Sequence, residues 1–380
     1  MKLDTEKNRK LARKALQYLP FVAVVGLAIY HYGPFGERPP SVPSVPSRRT
    51  SDWKKGKRGF RLSGRELSVV NVPSGMSPSS KKKDPRDSNA IVRAIKERSQ
   101  KYFIAADKAG FVIFDIKDPK KPQPIGYLDT PGQATDLLVR GDQVFLADNH
   151  RGVHLIDASD LKNPKIVSSL DTPARSVRLA SHGEYIISAE VTGARILRVD
   201  KNDKKDNVAE LKLVKSIKHK AYDVEMKGNL AFVAAGDKGV VVWNLKDPTR
   251  PKVVATIPTE YKATELAVEG NRLAVGCYKL YYVIDITNLN QPEQLASQYI
   301  RYRHHHRKKG EVARLDFQGG HLVVSTGYWG AYIIDLAPNG KPTIIRREKD
   351  RRTSIYAAHI DVDRKLMVSG GLWFLIVAKI

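Results

Sequence analysis

A single cysteine, Cys277, is all that the 380-residue chain contains, so no internal disulfide can form. Both a cytosolic and a bacterial periplasmic location are compatible with that lack. Cys277 stands in "LAVGCY", where a small buried strand residue is expected rather than a reactive thiol. No Leu-x-x-Cys pattern lies near the N-terminus, which argues against a lipoprotein anchor. A Gly-rich phosphate loop, a zinc-ligand signature and a GxSxG elbow are all missing. No pair of carboxylates stands out from the turn residues. The expectation is therefore no enzyme, no catalytic residue, no cofactor and no metal. Acidic residues are also short: 40 Asp and Glu face 65 Lys and Arg, a net charge of +25. Such an excess bears on partners rather than on fold.

Long apolar runs are absent but for one. Residues 15–33, "ALQYLPFVAVVGLAIYHYG", form an uncharged stretch of 19 residues behind the basic "KNRKLARK". About 20 apolar residues span a bilayer, and Tyr30, His31 and Tyr32 suit its far interface. The bulky sequence that follows lacks a small-x-small cleavage site. The expectation is a basic cytoplasmic N-terminus over 1–14 and a transmembrane signal anchor over 15–33. The chain would then be single-pass in the bacterial cytoplasmic membrane, with the rest on the periplasmic or extracellular side. A cleaved signal peptide is the alternative.

Residues 34–89 are rich in Pro, Ser and Lys, and residues 38–86 hold 13 Lys and Arg against 3 Asp and Glu. Few large apolar groups are present to offset ordering entropy, so this segment reads as a linker. Embedded in it, "RELSVVNV" (65–72) is an isolated strand-like run.

Beyond the linker the chain repeats itself. "GFVIFDIKDPKKPQPI" (110–125), "GVHLIDASDLKNPKIV" (152–167) and "GVVVWNLKDPTRPKVV" (239–254) are near copies. "LYYVIDITNLNQPEQL" (280–295) and "GAYIIDLAPNGKPTII" (330–345) are variants. "GARILRVDKNDKKDN" (193–207) keeps the apolar run but loses the proline, and "WFLIVAKI" (373–380) is cut short. The residue after each run falls at Asp115, Asp157, Asp200, Asn244, Asp285, Asp335 and Ala378, at intervals of 42, 43, 44, 41, 50 and 43. Short Val/Ile-rich runs bounded by Asp, Asn, Pro and Gly read as strands between turns. A period of 40–45 with four strands per unit predicts propeller blades. Seven marks predict an all-β, seven-bladed β-propeller over 90–380, with 65–72 supplying the strand that the truncated last unit lacks. "AIVRAIKE" (90–97) would be the first strand of blade 1, or a short helix. The recurrent Asp is expected to cap turn amides ahead of the proline.

These units resemble the LVIVD repeat of bacterial surface and periplasmic proteins, an apolar pentad followed by "xxDPxxP". "FVIFDIKDPKKP" and "VVVWNLKDPTRP" are the nearest to it. The resemblance implies a propeller over about residues 100–380, with varied or unassigned roles and no catalytic residues to carry across.

The candidate contact residues follow from charge and aromaticity. The 50-residue interval contains "RYRHHHRKKG", with Arg301, Arg303, His304, His305, His306, Arg307, Lys308 and Lys309. Neighbouring cations disfavour metal there, and a polyanion contact that strengthens as the histidines protonate is the functional reading. Tyr328 and Trp329 in a turn suit carbohydrate or protein contact. One polar residue per first strand is expected at the channel mouth: Asp136, Ser176, Asp223, Glu265, Arg314 and His359. The expected function is a membrane-anchored binding or scaffolding module that contacts protein partners, an anionic envelope polymer or lipid. Its rivals are an enzyme acting on a polyanionic glycan through Asp136, Asp223, Glu265 and His359, and a salt-dependent nucleic-acid binder. The export signal and the lack of a recognition helix disfavour the latter.

Overall fold

The computed structural model describes residues 66–72, 90–202, 208–278, 280–300, 312–327, 330–336, 342–348, 354–372 and 374–380. The expected anchor (15–33), the basic run 301–309 and the pair Tyr328–Trp329 lie outside them. Among the described residues no helix is long and apolar enough to cross a membrane.

Among the described residues twenty-eight strands, β1 to β28 in chain order, form seven four-stranded antiparallel sheets. In six of them four consecutive strands run outward from first to fourth. The first strands are β2 (Ala94–Arg98), β6 (Asp136–Arg140), β10 (Ser176–His182), β14 (Asp223–Lys227), β18 (Ala263–Glu269) and β22 (Arg314–Gln318). The seventh sheet begins with β26 (Ile355–Asp361) and takes its outer strand from the other end of the chain: β1 (Glu66–Asn71) pairs with β28 (Phe374–Lys379), from Glu66↔Ala378 to Asn71↔Phe374. The 65–72 run thus closes the ring. Ser68 Oγ, on β1, donates to the Pro119 carbonyl in the next blade at 2.7 Å. The 90–97 segment is a strand from Ala94 onward, not a helix.

Apolar residues explain the layering. In blade 2 the second and third strands bury four of five residues each, while the fourth alternates exposed and half-buried. Buried side chains of consecutive sheets then pack face to face. Phe232 and Val242 of blade 4, for example, share one cluster with Leu273 and Tyr282 of blade 5. At the closure Val72, Val92, Tyr102, Leu375 and Val377 do the same. Cys277 is fully buried in the blade 4–5 cluster, where burial pushes its thiol up to about 12. Tyr281 and Tyr282 are both core residues.

The recurrent Asp or Asn works within the turn. Asp115, Asp157, Asn244 and Asp285 each accept the amide two residues on, at 2.7–2.9 Å. Unit three departs from this pattern. Without the proline, β12 (Gly193–Asn202) and β13 (Val208–Ile217) run on as ten-residue strands, and Asp200 sits inside the ladder opposite Glu210.

The hairpins between first and second strands show where backbone shape constrains sequence. Gly141, Gly183, Gly228, Gly270 and Gly319 hold the first turn position at φ of 56–57°. Blade 1 places Ser99 there at φ 52°. A non-glycine residue pays roughly 1 kcal/mol for that conformation. Ser99→Gly is accordingly expected to stabilise the protein by about that amount in urea unfolding.

Antiparallel order fixes two faces. Turns between second and third strands, and the connectors between blades, lie on one face, termed the connector face. The other two sets of turns make the opposite, turn face. Because β1 is a fourth strand, it enters from the turn face and leaves at the connector face.

Candidate functional site

Each first strand pairs with a small residue near the end of its second strand: Ala105, Ala147, Ala189, Ala234, Gly276, Ser325 or Gly370. Opposite these stand Ala94, Asp136, Arg178, Asp223, Glu265, Arg314 and Ala357. Small neighbours leave room for the long side chains, and the seven positions form one ring around the channel. Five of the seven are ionisable, three acids and two arginines.

The ring is stitched together internally. Arg178 Nη2 donates to both Glu265 oxygens at 2.7 and 2.8 Å, and its Nε lies 4.0 Å from Asp223 Oδ1. Arg314 Nη2 donates to Asp136 Oδ1 at 2.8 Å. Asp136 Oδ2 accepts the Leu179 amide at 2.9 Å, and Asp223 Oδ2 accepts the Leu266 amide at 2.7 Å. Both aspartates therefore reach the next blade's first strand. Arg178, Asp136, Asp223 and Glu265 are 1–3% exposed. Burial raises the Glu265 carboxyl to about 8 against the pull of Arg178. Burial likewise raises Asp223 against Arg178. For Asp136 burial is outweighed by Arg314, Arg178, Lys96 and the Leu179 amide, so its pKa falls below the ordinary value.

The structure brings together four of the six residues sought at the channel mouth, Asp136, Asp223, Glu265 and Arg314. Ser176 lies two residues before the ring, bonded to Ser188 Oγ at 2.8 Å. His359 lies two residues beyond it. There its Nδ1 accepts from Gln318 Nε2 at 2.8 Å and its ring meets Tyr102 edge-on. Burial holds it neutral, down to about 4. His359 thus makes no hydrogen bond to the three ring carboxylates, which are engaged by arginines and amides. Sequence reasoning missed Arg178 because first strands β10, β18 and β26 each carry an extra residue, at 177, 264 and 356. Counting back from the small residue of the second strand would have found it.

A second tier stands two residues along the first strands, toward the turn face: Lys96, Leu138, Ala180, Glu225, Ala267, Asp316 and His359. Between the tiers lies a cavity of about 230 Å³ whose lining includes Lys96, Asp136, Leu138, Ala180, Asp223, Glu225 and Arg314. No group of three or more His, Cys, Asp or Glu among the described residues is placed to hold a metal ion.

One further constellation has hydrolase-like composition. Ser169 Oγ meets His154 Nδ1 at 2.7 Å, and His154 Nε2 meets Asp148 at 3.0 Å. Asp148 also accepts from Thr130 Oγ1 at 2.9 Å and the Gly132 amide at 2.8 Å. Its oxygens are committed to joining the blade 1–2 connector to blade 2, which makes this chain a structural clamp.

Comparison with known sequences agrees with the repeat geometry. The LVIVD repeat is matched at residues 99–130, 131–172 and 219–259. The chain carries LVIVD repeats within a β-propeller. The three matches fall on blades 1, 2 and 4, and the match indicates no catalytic family. No curated protein matches the sequence. Among solved structures, that of U3-55K aligns with a TM-score of 0.62 at 9% identity, covering 83% of this chain and 100% of that one. The WD40 repeats of RRP9 align at 0.61 and 8%, covering 83% and 98%. A computationally designed protein, Ika8, aligns at 0.55 and 14%, covering 83% and 100%. At these identities the LVIVD-repeat propeller shares a fold with them and nothing more.

Proposed function

We propose that the LVIVD-repeat propeller is a binding module, tethered to the bacterial cytoplasmic membrane through residues 15–33 and displayed outside it, whose connector face takes an anionic envelope polymer. One observation carries this reading. Nine of the 13 Lys and Arg within 38–86 precede β1, but three basic runs, within 73–89, 301–311 and 349–353, belong to connectors between blades. They leave the same face at three successive junctions, blades 7–1, 5–6 and 6–7. Exposed Lys108, Arg151, Lys218, Lys220, Lys238 and Lys262 lie on that face too, with Asp129, Asp171, Asp237 and Glu260 among them and Lys262 paired to Asp237 at 3.5 Å. Tyr261 and Tyr299 meet there through their hydroxyls at 3.3 Å, offering an aromatic surface beside the 301–311 connector. Ionic binding of this type weakens steeply with salt.

The test measures the affinity of the full chain for long-chain polyphosphate over a range of salt. Deleting 301–309 removes Arg301, Arg303, Arg307, Lys308 and Lys309. It is expected to lower the slope of log K against log salt by about 4, at ~0.7–0.9 per neutralised phosphate. The thermal transition should stay in place, because the other repeat intervals manage without this insert. Wild-type binding should also tighten from pH 8 to pH 6 as His304, His305 and His306 gain charge. An unchanged slope would remove this segment from the contact. A loss of the cooperative transition would show that the segment belongs to the fold.

A further inference from the structure

The channel cavity carries an inference that does not depend on the basic face. Most of the charges around it are already matched: Asp136 by Arg314 and the Leu179 amide, Asp223 by two amides with Arg178 close by. Lys96 and Glu225 are different. Both line the cavity, and neither has a hydrogen-bond or ion-pair partner among the described residues. They stand on blades 1 and 4, three steps apart in a ring of seven and thus on opposite walls. The second-tier residues of the two blades between them are Leu138 and Ala180, both apolar and both on the cavity wall.

One pole is the Lys96 ammonium and the other the Glu225 carboxyl, which burial and Asp223 push up to about 8 and which a bound ammonium would hold ionised; Leu138 and Ala180 stand between them. A lone anion would satisfy Lys96 and leave Glu225 facing it across the cavity. A lone amine would do the reverse. A molecule with an ammonium at one end, a carboxylate at the other and a short methylene chain between satisfies both without adding net charge. The volume of about 230 Å³ admits a molecule the size of a small amino acid. We propose that this cavity is a binding site for a small zwitterionic aminocarboxylate, with Glu225 taking the ammonium, Lys96 the carboxylate, and Leu138 and Ala180 the methylenes.

The test is calorimetric titration of the full chain with glycine, β-alanine and γ-aminobutyrate, which separate the two charges progressively. Butyrate and butylamine serve as singly charged controls. A site built for both poles rejects a ligand that lacks one, because a buried group is then left unpaired. The expected result is saturable binding of at least one aminocarboxylate, about tenfold or more tighter than either control. Glu225→Gln and Lys96→Gln should each abolish it while their thermal transitions confirm folding. Should either variant fail to fold, the comparison with butyrate and butylamine on the wild-type chain still decides. The proposal fails if no aminocarboxylate saturates at millimolar concentration, if a singly charged control binds equally well, or if folded variants keep the affinity. The polyphosphate experiment is independent of all these outcomes.

Discussion

Removing residues 1–72 is expected to abolish cooperative folding, whereas removing residues 1–61 leaves the propeller's melting transition in place. The first truncation takes away β1, the outer partner of β28. Five of the six residues of β28, "FLIVAK", are buried. As a bare edge it becomes a template for pairing with other chains. Val72, at 2% exposure, and Val70 also leave the cluster that joins blade 7 to blade 1. Each buried valine contributes roughly 1.5–3 kcal/mol, and each ladder hydrogen bond adds a net ~0.5–1.5 kcal/mol. The sum is comparable to the whole stability of a domain, about 5–15 kcal/mol. Circular-dichroism melts and size-exclusion chromatography of the two truncations check the result. A chain lacking 1–72 that melts as sharply as the longer one would show that the ring closes by other means.

Replacing Arg178 has the next largest expected effect, and pH sets its size. Arg178→Met leaves Glu265 and Asp223 buried without their nearest cation. Removing one partner of a buried pair costs about 3–5 kcal/mol. The sign of the pH dependence follows from the raised carboxyl pKa values. Glu265 titrates near 8 in the folded protein, above its ordinary 4.5. Its protonation therefore favours the fold below about pH 4.5, and that contribution is lost as pH rises through about 8. Without Arg178 the charged forms are worse still, so the variant's deficit should be small at pH 5, larger at pH 8 because wild-type Asp223 ionises near 6, and still growing above pH 8 as Glu265 ionises. Pairing it with Glu265→Leu should restore a large part of the loss, since an apolar pair needs no compensating charge. Urea unfolding at both pH values decides. An equal deficit at pH 5 and pH 8 would mean that Arg178 acts through packing alone.

The blade count was legible because the apolar run and its Asp recur at a nearly constant interval. The closing strand was legible because "RELSVVNV" is strand-like in sequence that otherwise offers no core. What the sequence concealed lies where the repeat deforms. A single extra residue in β10 shifts the register so that Arg178, not Ser176, joins the ring, while in β26 Ala357 takes the ring position and His359 falls in the second tier. The lost proline of unit three signalled a departure, but the ladder of Asp200 with Glu210 shows its form, a long hairpin. Lys96 and Glu225 passed unnoticed because alternation assigns a residue to a channel tier only once the register is known. Charge told more than side-chain pattern here. The run 301–309 was visible as an insertion, yet only strand order places its connector on one face with those at 73–89 and 349–353.

Hydrogen exchange of the full chain with and without polyphosphate tests the central claim, a connector face that takes an anionic polymer, most directly. The account predicts slowed exchange at the flanks of the three basic connectors, Ala90, Ile300, Val312 and Ser354, and in the neighbouring connector 258–262. The first-to-second-strand turns at 141–142, 183–184, 228–229 and 270–271 should be unchanged. Protection confined to those turns, or no protection under saturating polyphosphate, would contradict it.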